Sequence, residues 1–365
     1  MSRASSSERI VADVLVVGAG AFGLWTARAC AARGMRVAVA DAARIGSGRG
    51  AASATPIGAL APHRPAPWTP MKALQLRALE DMPARLAALE ADTGRTTGYA
   101  RPGRRTPLMD AAARDRAEAG LPEAAARWLG RRQWIEETAR APALVDPPFG
   151  WLRDDLSARL DPPATLTALR SALETAGATL LDGRRLTALD PPRVLFAETE
   201  VQASAIILAT GAAAFDLIPD APFPTLRPEH GQAARLALSL PPGTPLIQAP
   251  GLWIVPHADG TVAVGATSER DRQDLTTDAA LDETLARAAT FVPALANAKI
   301  LQRWAGLRPR LATRKPLIGP VPRRPGLYIA AGGFKIGLAL APLLGEALAD
   351  ILTGKSPAVP PEILT

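Results

Sequence analysis

The 365-residue sequence contains one cysteine, Cys30, and three histidines. A single cysteine excludes an internal disulfide framework and a cysteine-based metal site. The histidines His63, His230 and His257 follow neither a metal-ligand pattern nor a catalytic-triad pattern. We therefore expect no metal centre, and we expect Cys30 to be a small buried packing residue within a helix. His257 comes just before the Asp259–Gly260 hairpin turn, so we expect it to be exposed.

Long apolar segments are also missing. Residues 1–10 are polar and lack the apolar segment of a secretory signal. The most apolar late stretch, 327–352, is interrupted by Lys335, Glu346 and Asp350, which argues against a membrane span. Hydrophobic residues make up 48% and charged residues 21%, as in a globular protein with room for two domains. We therefore expect a cytoplasmic protein without a transmembrane segment.

The formal net charge is +7, and arginine supplies most of it. The basic residues are scattered in pairs such as Arg131–Arg132 and Arg323–Arg324, with no dense run and no interleaved aromatic residues. A nucleic-acid surface would concentrate its positive charge on one element. We therefore expect no stable nucleic-acid binding, and at most a mild attraction of anionic small molecules.

A glycine-rich turn lies where a short strand meets a helix. The run 12–17 is apolar and rich in valine, residues 22–33 have helical periodicity, and 35–40 is a second apolar run. The sequence Gly18–Gly23, read GAGAFG, joins the first strand to the helix, and Asp41 closes the second strand. Together they predict a βαβ unit that binds the ADP half of a dinucleotide.

The glycines of this turn, the helix N-terminus and Asp41 each have a physical role in such a unit. Gly18 permits the tight turn, Gly20 lets the backbone approach a pyrophosphate, and Gly23 lets the helix pack close to the strand. The helix N-terminus offers unpaired N–H groups and a partial positive charge to the phosphates. Asp41 can accept hydrogen bonds from the adenosine ribose hydroxyls.

The rest of the chain predicts a second, interleaved unit. Segments typical of an α/β domain lie at the start, in the middle and at the end, and short β segments after residue 230, among them 252–256, predict a separate antiparallel sheet. The pattern also predicts a helix over 71–93, helical pieces over 111–119 and 123–129, and a last strand over 327–331. The fold class is therefore α/β plus α+β, with a discontinuous Rossmann-like domain and an inserted antiparallel-sheet domain. The predicted boundaries are 1–75, 149–215 and 304–365 for the first domain, and 76–148 and 216–303 for the second.

The layout resembles the D-amino-acid oxidase and glycine oxidase family of flavoenzymes over nearly the whole chain. The resemblance rests on a combination of motifs, which are Val16–Gly23, Ala52–Ser53, Gly58–Pro62, Leu160–Pro162, Ile207–Gly211, Arg227–Pro228, Gly231–Gln232, Ile254–Pro256, Asp259–Gly260, Val264–Thr267, Trp304–Pro309, Gly332–Lys335, Gly337 and Ala341–Pro342. It implies a Rossmann-like FAD-binding domain, a substrate-binding domain and FAD bound without a covalent link.

The resemblance also implies which residues surround FAD. The loop from Ser53 would pass along the isoalloxazine ring, and Leu186 would offer backbone atoms to the adenine. The turn between the last strand and the last helix, Gly333–Leu338, which we call the final turn, would face the flavin pyrimidine edge. The implied cofactor residues are Gly18, Ala19, Gly20, Ala21, Phe22, Gly23, Asp41, Ala42, Ser53, Gly58, Ala59, Leu60, Leu186, Ala209, Thr210, Gly211, Gly333, Phe334, Lys335, Ile336, Gly337 and Leu338.

At the substrate end, Arg308 matches the family arginine that grips a carboxylate, for which a planar guanidinium is suited. Lys335 stands where close relatives often carry arginine. The positive charge is therefore kept, but the planar guanidinium that can bind a carboxylate through two parallel hydrogen bonds is lost. Trp253 stands where glycine oxidase-like members carry a tyrosine whose hydroxyl helps to hold the carboxylate. Arg308, Lys335 and Trp253 are the predicted catalytic-site residues. Because the residues at positions 253 and 335 differ from the family pattern, a secondary or larger amine stays open as substrate.

The implied function is oxidation of the Cα–N bond of an amino acid or secondary amine carboxylate, with hydride transfer to flavin N5. The implied partners are a small-molecule amine or amino acid and oxygen or another electron acceptor, and a homo-oligomer stays open. Two alternatives remain at this point. The first is a flavoenzyme acting on a modified tRNA base, and the second is a non-catalytic flavin-binding assembly protein.

Overall fold

The computed structural model of the chain describes residues 8–48, 51–270 and 272–365. The helices are α1 Ala21–Ala31, α2 Pro70–Thr93, α3 Ala111–Arg127, α4 Pro162–Thr175, α5 Ala279–Phe291 and α6 Gly337–Leu352. The strands are β1 Glu8–Val17, β2 Val37–Ala40, β3 Ala59–Leu60, β4 Arg104–Pro107, β5 Gln133–Glu136, β6 Trp151–Asp154, β7 Ala158–Arg159, β8 Thr179–Leu181, β9 Leu186–Asp190, β10 Arg193–Phe196, β11 Thr199–Leu208, β12 Leu226–Ala237, β13 Leu246–Ala249, β14 Leu252–Pro256, β15 Thr261–Gly265, β16 Lys299–Leu311, β17 Leu317–Pro320 and β18 Leu327–Ala331.

The first sheet is a Rossmann-like layer in the order β17-β18-β11-β1-β2-β8. β1 is parallel to β2 and β11, and β17 pairs antiparallel with β18 at one edge. Residues 14–17 of β1 are buried on both faces, with Val14 and Val16 in the helix-side core and Leu15 and Val17 in the opposite core. A continuous apolar run is expected for a parallel strand that is covered on both sides.

Helices α1 and α6 pack closely against each other on this sheet. A β-carbon at Gly345 of α6 would lie 2.7 Å from the carbonyl carbon of Trp25 in α1. Cys30 of α1 is fully buried in the same core, as predicted, and burial raises the pKa of its thiol to about 12. The close approach brings the N-terminal ends of both helices to the same edge of the sheet.

The second sheet has the order β16-β12-β15-β14-β13-β4-β6-β5, and its strand pairs are antiparallel except β13 with β4. Its strands come from two parts of the chain, residues 104–154 and 226–311. One face carries Ala234, Leu236, Val262 and Val264, which pack against α5. The other face carries Ala233, Val255 and Ala263 and meets Ile57 of the loop that precedes β3.

The predicted fold class is confirmed, and several elements differ in detail. Two short helical pieces expected between residues 111 and 129 form the single helix α3, which includes Pro122. β16 is a 13-residue strand where no strand was expected. The domain boundaries stay predictions. β6 and the whole of β16 belong to the second sheet, and the predicted boundaries lie just before β6 and within β16.

Within the described ranges, no helix is long and apolar enough to cross a membrane. The same ranges contain no group of three or more histidine, cysteine or acidic side chains placed to hold a metal ion. The first seven residues of the N-terminal segment lie outside the described residues.

The contact between α1 and α6 can be tested with matched glycine substitutions. Gly345→Ala should lower the free energy of unfolding by about 1–3 kcal/mol, because its methyl group would overlap backbone atoms of α1. Gly120→Ala in α3, where no atom lies within 4 Å of the new β-carbon, should raise it by about 0.5–1 kcal/mol. Urea denaturation measures both, and equal effects in the two variants would contradict the close packing.

Candidate functional site

The glycine turn lies where β1 and β11 end. Gly18 has φ +103°, and a β-carbon there would lie 2.5 Å from the carbonyl oxygen of Ala209. Asp41 follows β2, and its two carboxylate oxygens accept 2.7 Å hydrogen bonds from the N–H groups of Ala19 and Ala43. Each carboxylate oxygen can accept a further hydrogen bond, so Asp41 is fixed by the turn and can still bind ribose hydroxyls.

Two helix N-termini meet beside this turn. The ring of Phe22 lies against Gly333 and Gly337, and a β-carbon at Gly333 would be 2.9 Å from the ring edge. The N-cap residues of α1 and α6, Gly20 and Ile336, provide no side-chain cap. Their first-turn N–H groups and the positive ends of two helix dipoles therefore face the same region, which favours an anionic ligand.

A buried polar atom at the end of β11 also fits a ligand. The hydroxyl of Thr210 is buried and has no hydrogen-bond partner among the described residues. Leaving such a group unpaired costs about 1–3 kcal/mol. Thr210 lies between Ala209, which contacts Gly18, and Gly211, which has φ +63°. These features fit a cofactor that supplies the missing partner.

The loop from Ser53 to Leu60 is held between the glycine turn and α4. Ser53 Oγ accepts a 3.0 Å hydrogen bond from the N–H of Ala21. Gly58 has φ +60° and leaves no room for a β-carbon beside the carbonyl of Leu160. Ala59 and Leu60 form β3, which pairs with β7. The loop therefore passes from the dinucleotide turn to the face of the second sheet.

The two predicted adenine-side positions lie near Asp41. Leu186 begins β9, and the N–H of Arg184 just before it donates a 2.7 Å hydrogen bond to the backbone oxygen of Asp41. Ala42 is exposed beside the same aspartate. The arrangement brings together the segments predicted for the cofactor, while the contact of each residue with FAD stays a prediction.

The second sheet presents a row of residues to that loop. Trp304, Ala233, Gly265 and Trp253 are opposite one another across β16, β12, β15 and β14. Directly paired residues of antiparallel strands point to the same face. Both tryptophans lie in the cluster with Ile57, so a surface of aromatic and small residues faces the Ser53–Leu60 loop.

Arg308 lies on this same face, four residues beyond Trp304 on β16. Its guanidinium covers Gly231, where a β-carbon would overlap it. One amino group, Nη1, donates to the carbonyl oxygens of Thr267 at 3.0 Å and His230 at 3.4 Å. No described residue provides an acceptor for Nε or Nη2. Burial lowers the pKa of Arg308, and Glu229 opposes this shift, but an arginine remains charged.

The structure adds a residue that the sequence analysis did not single out. Glu229 is directly opposite Arg308 on β12 and is buried. It accepts a hydrogen bond from Ser268 and lies 3.7 Å from Lys335 Nζ. Burial lowers the pKa of Lys335, while Glu229 raises it. Strand alternation from the Gly231 motif would have placed Glu229 on the Arg308 face, because residues 229 and 231 share one side.

Trp253 is separated from Arg308 by two strands, β12 and β15. Trp253 and Arg308 lie on one face of the second sheet, and Lys335 of the turn from Gly333 reaches the same face beside Glu229. Their roles stay predictions.

The expectation that His257 is exposed is wrong. His257 is buried, and its Nε2 lies 2.8 Å from the carbonyl oxygen of Pro56 in the loop before β3. Burial is the main cause that lowers the pKa of His257, and Arg235 adds to it. The hairpin between β14 and β15 thus contacts the Ser53–Leu60 loop. The hydropathy of the residues around the turn gave no sign of this contact.

Comparisons with known proteins agree with this arrangement. Residues 13–351 match the DAO family, described as FAD dependent oxidoreductase. The chain is 31% identical to a glycine oxidase of Pseudomonas aeruginosa over 97% of both chains. It is also 31% identical to a bifunctional ThiO/ThiG protein of Synechocystis sp., of which it spans 51%. The crystal structure of glycine oxidase from Geobacillus kaustophilus has a TM-score of 0.86 and 26% identity, covering 96% of this chain and 97% of that one.

The hydroxyl of Thr210 provides a test of the cofactor site. Thr210→Val should raise the stability of the protein without FAD, since it removes an unpaired buried hydroxyl, and should weaken FAD binding about tenfold. Thr26→Val in α1 is the matched control, because its buried hydroxyl also lacks a partner among the described residues. The control should raise stability without changing FAD affinity. Equal FAD affinity in both variants would place Thr210 outside the cofactor site.

His257 should make the fold sensitive to acid. Its pKa is lowered in the folded state, so its contribution to stability is present above the unfolded pKa of about 6.5 and is lost as the pH falls below it. His257→Gln should reduce this loss by at most about 1.4 kcal/mol per pH unit. Urea denaturation at several pH values between neutrality and mild acid measures the slope, and identical slopes for both proteins would refute the assignment.

Proposed function

Because this chain belongs to the DAO family of FAD dependent oxidoreductases, we propose that it oxidises the Cα–N bond of an amino acid or secondary amine carboxylate. The observation that carries this proposal is the orientation of Arg308. Two backbone carbonyls hold one amino group of its guanidinium, and the remaining donors are available to a carboxylate.

Family membership confirms three of the sequence predictions. The resemblance to the D-amino-acid oxidase and glycine oxidase family is correct, FAD is the cofactor, and the chain is an FAD-dependent oxidoreductase of the amine and amino acid oxidase type. The two alternatives, a tRNA-modifying flavoenzyme and a non-catalytic assembly protein, are not favoured. The chain spans about half of the bifunctional relative and nearly all of the glycine oxidase relative.

The residues described above fit FAD. We propose that the turn from Gly18, the carboxylate of Asp41 and the hydroxyl of Thr210 hold its nucleotide half. The loop from Ser53 and the turn from Gly333 would hold its ring half. Bound FAD supplies the acceptor for the hydride that leaves the substrate Cα.

The protein's own contribution is placement. Arg308 would fix the substrate carboxylate, and thereby the position of Cα, at the sheet face that meets the Ser53–Leu60 loop. Trp253 and Trp304 would exclude water from the substrate position on this face. The substrate amine must be neutral when its Cα hydrogen leaves as a hydride. The similarity to glycine oxidases favours a small amino acid as substrate, whereas Trp253 in place of tyrosine favours a secondary or larger amine.

The electron acceptor, oxygen or another molecule, and a cytoplasmic location are further parts of the proposal. A homo-oligomer is equally compatible with the proposal.

Anaerobic reduction of the bound flavin tests the function. The wild-type protein should lose its flavin absorbance when mixed with at least one compound from a panel of glycine, sarcosine, proline and D-amino acids. Arg308→Lys should lower kcat/KM by about 10–100-fold, since a lysine keeps the charge but not the two-pronged contact.

Arg303→Lys is the matched control, because Arg303 lies on the same strand with its side chain on the opposite face, where it pairs with Asp282 at 2.6 Å. Its kinetics should equal those of the wild type. Retained kinetics in Arg308→Lys with bound FAD would remove the carboxylate role from Arg308.

A further inference from the structure

Three cations surround one carboxylate beside the proposed substrate position. Glu229 and Arg308 are directly opposite on β12 and β16, and Arg310 follows two residues later on the same face. Lys335 approaches from the final turn. We call Arg308, Arg310, Lys335 and Glu229 the basic cluster.

Glu229 compensates only part of this positive charge. Its side chain is 8% exposed, and it lies 3.8 Å from Arg310 Nε and 3.7 Å from Lys335 Nζ. It accepts a hydrogen bond from the hydroxyl of Ser268. Within the described part of the chain, no second carboxylate pairs with Arg308, Arg310 or Lys335. The cluster therefore carries two positive charges more than Glu229 neutralises.

The side chains of Arg310 and Lys335 are also held in place by an aromatic ring. Arg310 and Lys335 lie over the ring of Phe334, at 5.7 Å and 5.1 Å from its centre. The N–H of Phe334 donates a 3.2 Å hydrogen bond to the carbonyl of Pro309, which fixes the turn against β16. The side chain of Arg310 is 17% exposed, so it is sheltered from solvent yet still accessible.

Uncompensated charge on the sheltered side chains of Arg308 and Arg310 is costly, and a ligand of opposite charge removes that cost. The charge of Lys335, whose side chain is 53% exposed, is partly solvated. A substrate with one carboxylate would neutralise Arg308 and leave one surplus positive charge. A substrate with two carboxylates would neutralise the whole cluster. Arg227, which is exposed and directly opposite Arg310, adds a further positive charge beside the cluster and favours anions.

We propose that Arg310 and Lys335, held by Glu229 and Phe334, form a second anion subsite beside Arg308, and that the preferred substrate is an amine carrying two carboxylates. The proposal rests on the proposed function, in which Arg308 holds the first carboxylate. Arg310 and Lys335 determine specificity at this subsite, and Glu229 is a positioning residue that keeps both side chains turned toward it.

A matched pair of substrates tests the subsite in the FAD-bound protein. Sarcosine and iminodiacetate are both secondary amines, and they differ by one carboxylate. Anaerobic flavin reduction should give a kcat/KM for iminodiacetate at least about tenfold above that for sarcosine, the size of one added charge-assisted contact. Arg310→Gln should abolish most of this preference by raising KM for iminodiacetate, with kcat changed little.

Arg303→Gln is the control variant, since it removes the same charge from the same strand on the opposite face. It should keep the wild-type preference. Glu229→Gln should lower the preference while the protein still binds FAD, because Arg310 and Lys335 lose the group that orients them.

A binding measurement separates the subsite from turnover. Malonate and acetate are unreactive carboxylates with two charges and one charge, and calorimetry on the FAD-bound protein gives their affinities. Wild-type protein should bind malonate at least about tenfold more tightly than acetate, and Arg310→Gln should reduce this ratio. Equal ratios in wild type and Arg310→Gln would overturn the subsite.

The outcomes also separate this inference from the proposed function. Reduction by sarcosine or glycine with no preference for the dicarboxylate would overturn the second subsite and leave the proposed function intact. The structural role of Arg310 and Lys335 on Phe334 would then account for their positions. Reduction by no carboxylate-bearing amine would instead contradict the proposed function itself.

Discussion

The close backbone contact between Gly18 and Ala209 is the constraint on which the cofactor site depends. It can form only because Gly18 has no side chain and adopts φ +103°. The contact sets the turn directly beside the end of β11, where Thr210 and Gly211 follow. From there, α1 starts in the direction that lets Gly345 of α6 approach its backbone. One steric requirement therefore aligns both strand ends and both helix N-termini at one edge of the sheet.

The sequence was most informative where local physics decides the structure. β14 and β18 form over the predicted residues, and α2 differs by one residue, because apolar periodicity and a capping residue or glycine mark their ends. β16 was not foreseen, since Arg303, Trp304 and Arg310 do not form an apolar alternation. Its strand conformation comes from pairing with β12, a contact between distant residues. Tertiary pairing of this kind leaves little trace in local hydropathy.

The candidate site shows the same division. The glycine turn and Asp41 were predicted from spacing, and the structure joins them through the hydrogen bond from Ala19. Arg308 was found through the family resemblance. Glu229 and Arg310 could not be given a role from sequence, because charged residues on a strand are usually solvated. Their meaning depends on register with Arg308 and on Lys335, which lies over a hundred residues from Glu229 in the chain.

β16 connects the two ends of the active site. Its middle carries Arg308 on the substrate face, and its end holds the final turn through the hydrogen bond from Phe334 to Pro309. That turn leads into α6, whose N-terminus faces the proposed flavin position. A ligand bound by Arg308 and Arg310 would also restrain this turn. Substrate binding and cofactor binding would then be thermodynamically linked. By reciprocity, a carboxylate ligand strengthens the binding of FAD by the same factor by which FAD strengthens the binding of that ligand.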